Sequence, residues 1–364
     1  MKQYDMNKAA MKPMYVLGVM SGTSLDGLDL ALVHLFEERG RIRYEMVESI
    51  AYTYPSSVIR RLDEALSMDK TSFSRLERDY SLVLAQFIAD CIAGLPIVPD
   101  IISSHGHTIY HQPEEGITVQ IGDGQIIADH CGIPVVSDFR TPDVRLGGQG
   151  APLVPIGDDM LFGAYTYCLN LGGIANISYE KNGVRLAYDI CPCNLVLNHF
   201  SQRNDKPYDS EGAMAASGKI LPEWMNKWTQ LAYYQLPGPK SLGREWVEEH
   251  FFQNTYSDSS EDLLRTAVEH IAMEIGRSLL EEDSTVLITG GGAFNSFLIS
   301  RIQAHTHASL ILPERQLIEF KEALIFALLG YLRWNNRTNV LASVTGARHD
   351  HIAGTISYPK NRMK

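Results

Sequence analysis

Several signals common in nucleotide-binding, secreted and membrane proteins are missing from this 364-residue chain. It has no GxxxxGK[ST] loop and no strand-linked GxGxxG, so neither a P-loop nor a dinucleotide fingerprint is expected. No run approaches the roughly 20 apolar residues of a membrane span. The opening MKQYDMNKAAMKPMYVLGVM has only a short apolar stretch, broken by Gly18, Gly22 and Asp26, where a signal peptide needs a continuous one. Dense basic runs are missing as well: 32 Lys and Arg face 43 Asp and Glu, a net charge of −11. That balance argues against nucleic acid, whose phosphates are bound by clustered cations. The expectation is a cytoplasmic protein with a small-molecule partner and no membrane contact.

Cysteine is scarce. The five residues at 91, 131, 168, 191 and 193 are odd in number and sit in apolar or Gly/Pro surroundings rather than at staple spacings, which suits a reducing compartment. Cys191 and Cys193 flank Pro192, but two thiols alone cannot complete a tetrahedral zinc site.

What is present is ordinary globular material, 45% hydrophobic and 21% charged, in a chain long enough for two domains. YVLGVMSGTSLDGLDLALVHLF reads as two strands joined by a polar turn, and residues 41–54 alternate like a third. Helical spacing follows over 56–93, then short strands in PDIISSHG, TVQIG and IPVVSDFR around a helix in GDGQIIADHCG. The pattern then restarts: TYCLNLGGIANISYEKNGVRLAYDI is again strand, Gly-rich turn, strand, turn, strand. Helices are expected over 194–200, 211–217, 243–253 and 261–281. The buried strand in TVLITGGGAF leads into a helix from Asn295, and KEALIFALLGYLRW forms a last apolar one. This is a duplicated α/β fold. The first lobe is placed at 14–140 with a C-terminal return at about 339–364, the second at 141–338, joined near TPDVRLGGQG.

Three turns are candidates for holding phosphate. In GVMSGTSLDGLD, Gly22, Thr23, Ser24 and Gly27 let backbone amides and hydroxyls approach closely, and Asp26 and Asp29 add carboxylates. Asp26 is the candidate for Mg²⁺, directly or through water. NLGGIANIS puts Asn170, Gly172, Gly173 and Asn176 in the equivalent turn of the second half. TGGGAFN sets Gly290, Gly291 and Gly292 between a strand and a helix, where a helix start or a flat loop can meet a nucleotide. Each alone also reads as a plain tight turn.

Taken together with SHGHTIYHQP, VVSDFRTPDVRLGGQGAPLVP, LPGPKSLGREW and KEALIFALLG, these motifs stand in the order in which anhydro-N-acetylmuramic acid kinases carry them, over residues 18–330. The chain resembles that family throughout. The resemblance implies two ribonuclease-H-like lobes of the actin and hexokinase type around a cleft, with ATP and Mg²⁺ as cofactors. It implies a reaction in which water opens a 1,6-anhydro sugar and O6 takes the γ-phosphoryl group, giving N-acetylmuramic acid 6-phosphate for cell-wall sugar recycling.

By the same resemblance Asp189, in DICPCN, is the base, and Glu322, near the sugar, is the second catalytic residue. His105, His107, Thr108, Asp138, Arg140, Gln149 and Gly150 are the implied substrate contacts, an Arg being suited to a carboxylate by its bidentate geometry. Without the family match Asp189 reads as a capping residue, Glu322 as a helix-start charge and the histidines as possible metal ligands. Many relatives read DTGPGN, so Cys191 and Cys193 replace two glycines beside the base, and the expectation is that their side chains alter the backbone or narrow the pocket. A kinase for another amino sugar or anhydrosugar therefore stays open, as does a nucleotide-gated protein of the same superfamily. Whether two copies pair as a homodimer is also open.

Overall fold

The computed structural model describes residues 10–360 apart from 23–26, 113–114, 254–255 and 282. The chain divides into two compact units, Met1–Leu161 with Phe320–Lys364, and Phe162–Glu319.

In the first unit, β1 (Met14–Ser21), β2 (Gly27–Glu38) and β3 (Arg41–Thr53) form an antiparallel meander. β4 (Ile101–Ser104) pairs parallel with β1, and β7 (Val135–Ser137) parallel with β4. A hairpin of β5 (His107–Gln112) and β6 (Ile117–Ile121) stands between them in sequence. One face of the sheet carries Leu17, Val19, Leu30 and Ile102, packed with Leu76, Tyr80, Leu84 and Ile88 of the helix Lys70–Gly94. Those helix residues recur every four positions, the spacing of one helical face. Asp69 starts the helix by accepting from the Thr71 and Ser72 amides at 2.8 and 2.9 Å.

The other face of β1 meets the helix Arg315–Trp334 at very close range. A Cβ on Gly18 would stand 1.9 Å from the Ala323 carbonyl oxygen, and one on Gly330 would stand 2.5 Å from Ser103. Ser103 Oγ donates to the Phe326 carbonyl. Gly18, Ala323, Ala327 and Gly330 are thus small because the helix and strand backbones approach each other. Lys321 on this helix forms a buried ion pair with Asp158 at 2.7 Å.

The second unit repeats the plan. β8 (Tyr167–Leu171), β9 (Ile174–Lys181) and β10 (Val184–Pro192) form the meander, and β11 (Thr285–Thr289) and β12 (Ser309–Ile311) add in parallel. The β9–β10 hairpin turns on Asn182 and Gly183, both at positive φ, the pair that a two-residue turn favours. Sheet order is β10-β9-β8-β11-β12, matching β3-β2-β1-β4-β7 of the first unit, where β13 (Thr355–Ser357) pairs antiparallel with β7. Its core joins Leu169, Ile177, Val286 and Ile288 to Leu264, Val268 and Ile271 of the helix Ser260–Ser278.

The segment 141–150, expected to join the lobes, lies inside the first unit. Its fully buried Asp143 accepts from the Gly150 amide at 2.6 Å and the Thr345 hydroxyl at 2.7 Å, and Gln149 N donates to Thr345 O. Residues 320–338 also belong to the first unit, since the helix Arg315–Trp334 packs on β1 and β4.

Candidate active site

In the first unit the β1–β2 turn begins and ends on Gly22 and Gly27; Thr23, Ser24 and Asp26, with the Mg²⁺ position assigned to Asp26, lie outside the described residues. A Cβ on Gly27 would meet the Tyr52 carbonyl oxygen at 2.0 Å, so strand pairing demands this glycine independently of any phosphate. Asp29 stands in the ladder opposite Met20 and Ala51. Ser21 is buried at the turn's edge, bonded to Tyr54 OH at 2.8 Å and His107 Nδ1 at 2.9 Å.

His105 and Arg140 come together. An arginine N–H can only donate, so Arg140 Nε donates to His105 Nε2 at 2.9 Å, which fixes the histidine proton on Nδ1, where it is given to the Gly106 carbonyl at 2.9 Å. His105 is therefore neutral, its pKa held well below the usual range by burial and then by the Arg140 charge. Both ring nitrogens are engaged, so this histidine orients the arginine.

Arg140 also donates to Gly150 O at 3.2 Å. Burial lowers its pKa to about 10, opposed by the nearby Glu322 carboxylate, which is exposed at the surface of its helix. His107 is buried, its pKa lowered to about 4. Thr108 lies on β5, 3.5 Å from Gln120 Nε2. Asp138 sits at φ 58° and accepts weakly from Thr141 N at 3.4 Å, while the Gln149 side chain is exposed. Of the predicted sugar contacts, then, His105, Arg140 and Gly150 form one hydrogen-bonded group with Glu322 beside it.

In the second unit three separately read motifs converge on one line. Asn170 on β8 is opposite Asn176 on β9, which is opposite Asp189 on β10. Directly opposed residues share a face, and this face is the reverse of the one carrying Leu169, Leu171, Ala175 and Ile177 into the core. Thr289 of β11 is in register with Asn170 and extends the row.

Asp189 is held by a segment to which sequence reasoning gave no role. Its Oδ2 accepts from Leu242 N at 2.9 Å and Ser241 Oγ at 3.2 Å, its N–H donates to Lys240 O at 3.0 Å, and its carbonyl accepts from Tyr233 OH at 2.6 Å. Among the described residues no donor reaches Oδ1. Burial raises the carboxyl's pKa above the usual range, moderated by the bonds from Leu242 and Ser241. The signal for this clamp was the motif LPGPKSLGREW itself.

Asn194, also missed, ties the glycine-rich turns together. Its Nδ2 donates to Leu171 O at 3.0 Å, and the amides of Cys193, Asn194 and Leu195 donate to the carbonyls of Gly172 and Gly173. A Cβ on Gly290 would meet Asn170 Oδ1 at 2.6 Å, and one on Gly292 would meet Leu171 at 2.7 Å. Gly291 differs: a Cβ there meets only Asn194 Nδ2 at 3.7 Å, an ordinary contact. Its Cα is the open part of the loop.

Cys191 and Cys193 point into the core rather than toward this face. Both side chains are fully buried and free, with thiol pKa values pushed up by burial, that of Cys193 to about 12. The expected narrowing of a pocket by these thiols is therefore corrected: they fill core space beside Ala175 and Val196.

Two units built on one sheet order, each opening with a three-stranded meander whose first turn is polar, define the ribonuclease-H-like fold of the actin and hexokinase superfamily. Among the described residues, no helix is long and apolar enough to cross a membrane. The family model of anhydro-N-acetylmuramic acid kinase matches residues 14–359. The chain is 34% identical to the anhydro-N-acetylmuramic acid kinase of Crocosphaera subtropica, covering 96% of this chain and 100% of that one. Against the enzymes of that name from Vibrio cholerae and Shewanella oneidensis the identity is 35%, covering 94% and 96% of this chain and 98% of each relative. The chain belongs to the anhydro-N-acetylmuramic acid kinase family.

Proposed function

We propose that this protein opens 1,6-anhydro-N-acetylmuramic acid with water and phosphorylates it at O6 at the expense of ATP. Asp189 Oδ1 takes a proton from water as the water oxygen bonds to the anomeric carbon. The bond from that carbon to O6 breaks, O6 leaves with the electron pair and bonds the γ-phosphorus, and ADP departs. The proton on Asp189 passes to solvent. A carboxylate whose pKa is raised by burial suits a base better than one held low by an ion pair.

Arg140, pre-oriented by His105 and Gly150, is assigned to the sugar's lactyl carboxylate, with Glu322, His107, Thr108, Asp138 and Gln149 as further sugar contacts. The turns at Gly22–Asp29, Asn170–Asn176 and Gly290–Gly292 are assigned to ATP. The open Cα of Gly291 fits close approach by a nucleotide. Mg²⁺ would neutralise phosphate charge when bound. It needs only one or two carboxylates beside the phosphates; Asp26, outside the described residues, is the proposed ligand, and Asp29 lies just past this turn on β2. We assign the reaction to the cytoplasm, in keeping with cysteines that are few, odd in number and not at staple spacings.

The observation that carries this reading is Asp189, a partly buried carboxylate with one oxygen fixed and the other open, in a chain matched to the kinase family over residues 14–359. The test is incubation with ATP, Mg²⁺ and a panel of anhydro and ordinary amino sugars in ¹⁸O-labelled water. A 6-phosphosugar formed from the anhydro sugar, labelled at the anomeric oxygen, supports the proposal. ADP release without a phosphosugar, or phosphorylation of ordinary sugars alone, refutes it.

A further inference from the structure

The segment LPGPKSLG, residues 236–243, supplies none of the reacting groups, yet it is built around the base. Gly238 lies against the Tyr188 ring, where a Cβ would stand 2.9 Å away. Lys240 Nζ donates to Tyr233 O at 3.0 Å and sits 4.4 Å over the Tyr233 ring, while Tyr233 OH and Lys240 O hold the Asp189 backbone. The loop so anchored delivers the Ser241 hydroxyl and the Leu242 amide to a single carboxylate oxygen.

We infer that Ser241 is a positioning residue for Asp189: with the Leu242 N–H it holds Oδ2, so that Oδ1 alone faces the water it deprotonates. The inference rests on the reading of Asp189 as base. Two donors on one oxygen stop the carboxylate from turning about its Cβ–Cγ bond, which keeps the reactive lone pair in one direction. They also favour the ionised form against the burial that disfavours it. Removing the hydroxyl relaxes the orientation and makes the carboxylate harder to ionise. The other titratable groups at this corner are Tyr188 and Cys191 on β10, Cys193 just after it, Tyr233, Tyr234 and Lys240 beside the loop, and Glu274 on the helix Ser260–Ser278. Tyr233, Tyr234, Cys191 and Cys193 are held neutral by burial, so Glu274, whose pKa burial also raises, is the competing source of an acidic limb.

The experiment is the pH profile of kcat/KM with ATP, Mg²⁺ and 1,6-anhydro-N-acetylmuramic acid for wild type, Ser241→Ala, Ser241→Thr and Glu274→Gln, each checked for an intact melt. For Ser241→Ala the acidic limb is expected to move to higher pH. The loss is about threefold or more on the acidic side and within about twofold above pH 8. Ser241→Thr restores the wild-type limb, and Glu274→Gln leaves it in place. A Ser241→Ala limb at the wild-type position overturns the inference, as does a limb that moves with Glu274→Gln. Asp189→Asn separates the two readings: if it is inactive while the Ser241→Ala limb stays put, only the role of Ser241 fails. If Asp189→Asn turns over normally, the base assignment fails.

Discussion

Asn176 on β9 stands directly across from Asp189 on β10, and the same asparagine faces Asn170 on β8 from its other side. Strands in a sheet lie about 4.8 Å apart, so residues separated by 19 positions in sequence share a polar line about 10 Å long. The turn Gly172–Gly173 and the loop Gly290–Gly292 meet near the end of that line, drawn together by Asn194. Chemistry and close backbone approach are therefore packed into one corner of the second unit, and substitutions there divide into those that break the corner and those that only change what it binds.

Gly291→Ala belongs to the second kind. It is expected to melt like wild type, because its new methyl meets only Asn194 at 3.7 Å, and to bind ATP more weakly. Gly290→Ala is expected to lose about 1–3 kcal/mol of stability, since φ there is +83° and the methyl would press on Asn170 and Leu171. Thermal melts and ATP titrations of both check this. Identical melts, or unchanged ATP affinity in Gly291→Ala, would contradict it.

Buried histidines set a pH dependence of stability. Burial lowers the pKa of His270 to about 3, against about 6.5 for an unfolded histidine. Between those values the unfolded chain binds a proton that the native chain does not, so stability falls as pH is lowered. The slope reaches about 1.4 kcal/mol per pH unit for one such group. His107 adds to it down to about pH 4. Urea unfolding at pH 6.5 and 4.5 should show a smaller drop for His270→Gln than for wild type. Equal drops would show that His270 is not held neutral.

The two thiols beside the base make a packing prediction. Cys191→Gly with Cys193→Gly removes two fully buried side chains from the core and is expected to cost about 2 kcal/mol or more, with activity of the folded protein retained. Melting and initial rates of the double variant check it. Unchanged stability with altered sugar selectivity would mean that the thiols face ligand after all.

Much of this fold is legible in the sequence because its strands are marked by turns with a single conformational reading. Asn182–Gly183 is such a turn between two apolar runs of strand length, and the polar stretches that follow Ser21 and Leu171 in sequence repeat the pattern that announces the duplicated sheet order. Ser309–Ile311 and Thr355–Ser357 are too short at three residues each to show a period, and the helix Pro222–Thr229 buries only Trp228. The extent of the first unit is equally hidden. Nothing local in 141–150 says that Asp143 is pinned by Thr345, about 200 positions away.

For the site, residue types were readable but partners were not. Arg140 and His105 were both candidates, yet their direct bond and the histidine tautomer it fixes depend on the tertiary fold. Ser241 and Leu242 carry no chemical signature in sequence, since one of the two donors to Asp189 is a backbone amide. Conversely, Gly18, Gly27 and Gly330 stand in motifs that resemble a kinase's, and each is explained by close backbone or side-chain contact alone.

Ring opening is proposed to depend on Asp189 as base, and Asp189→Asn removes that function alone. Asparagine keeps the size of the side chain and can still accept from Leu242 N and Ser241 Oγ through its carbonyl oxygen, but it cannot take a proton from water. Formation of the 6-phosphosugar from ATP and 1,6-anhydro-N-acetylmuramic acid is expected to fall by about 10²-fold or more, with the melt and the binding of both ligands retained. A variant that folds, binds both and forms the product at the wild-type rate would contradict the account.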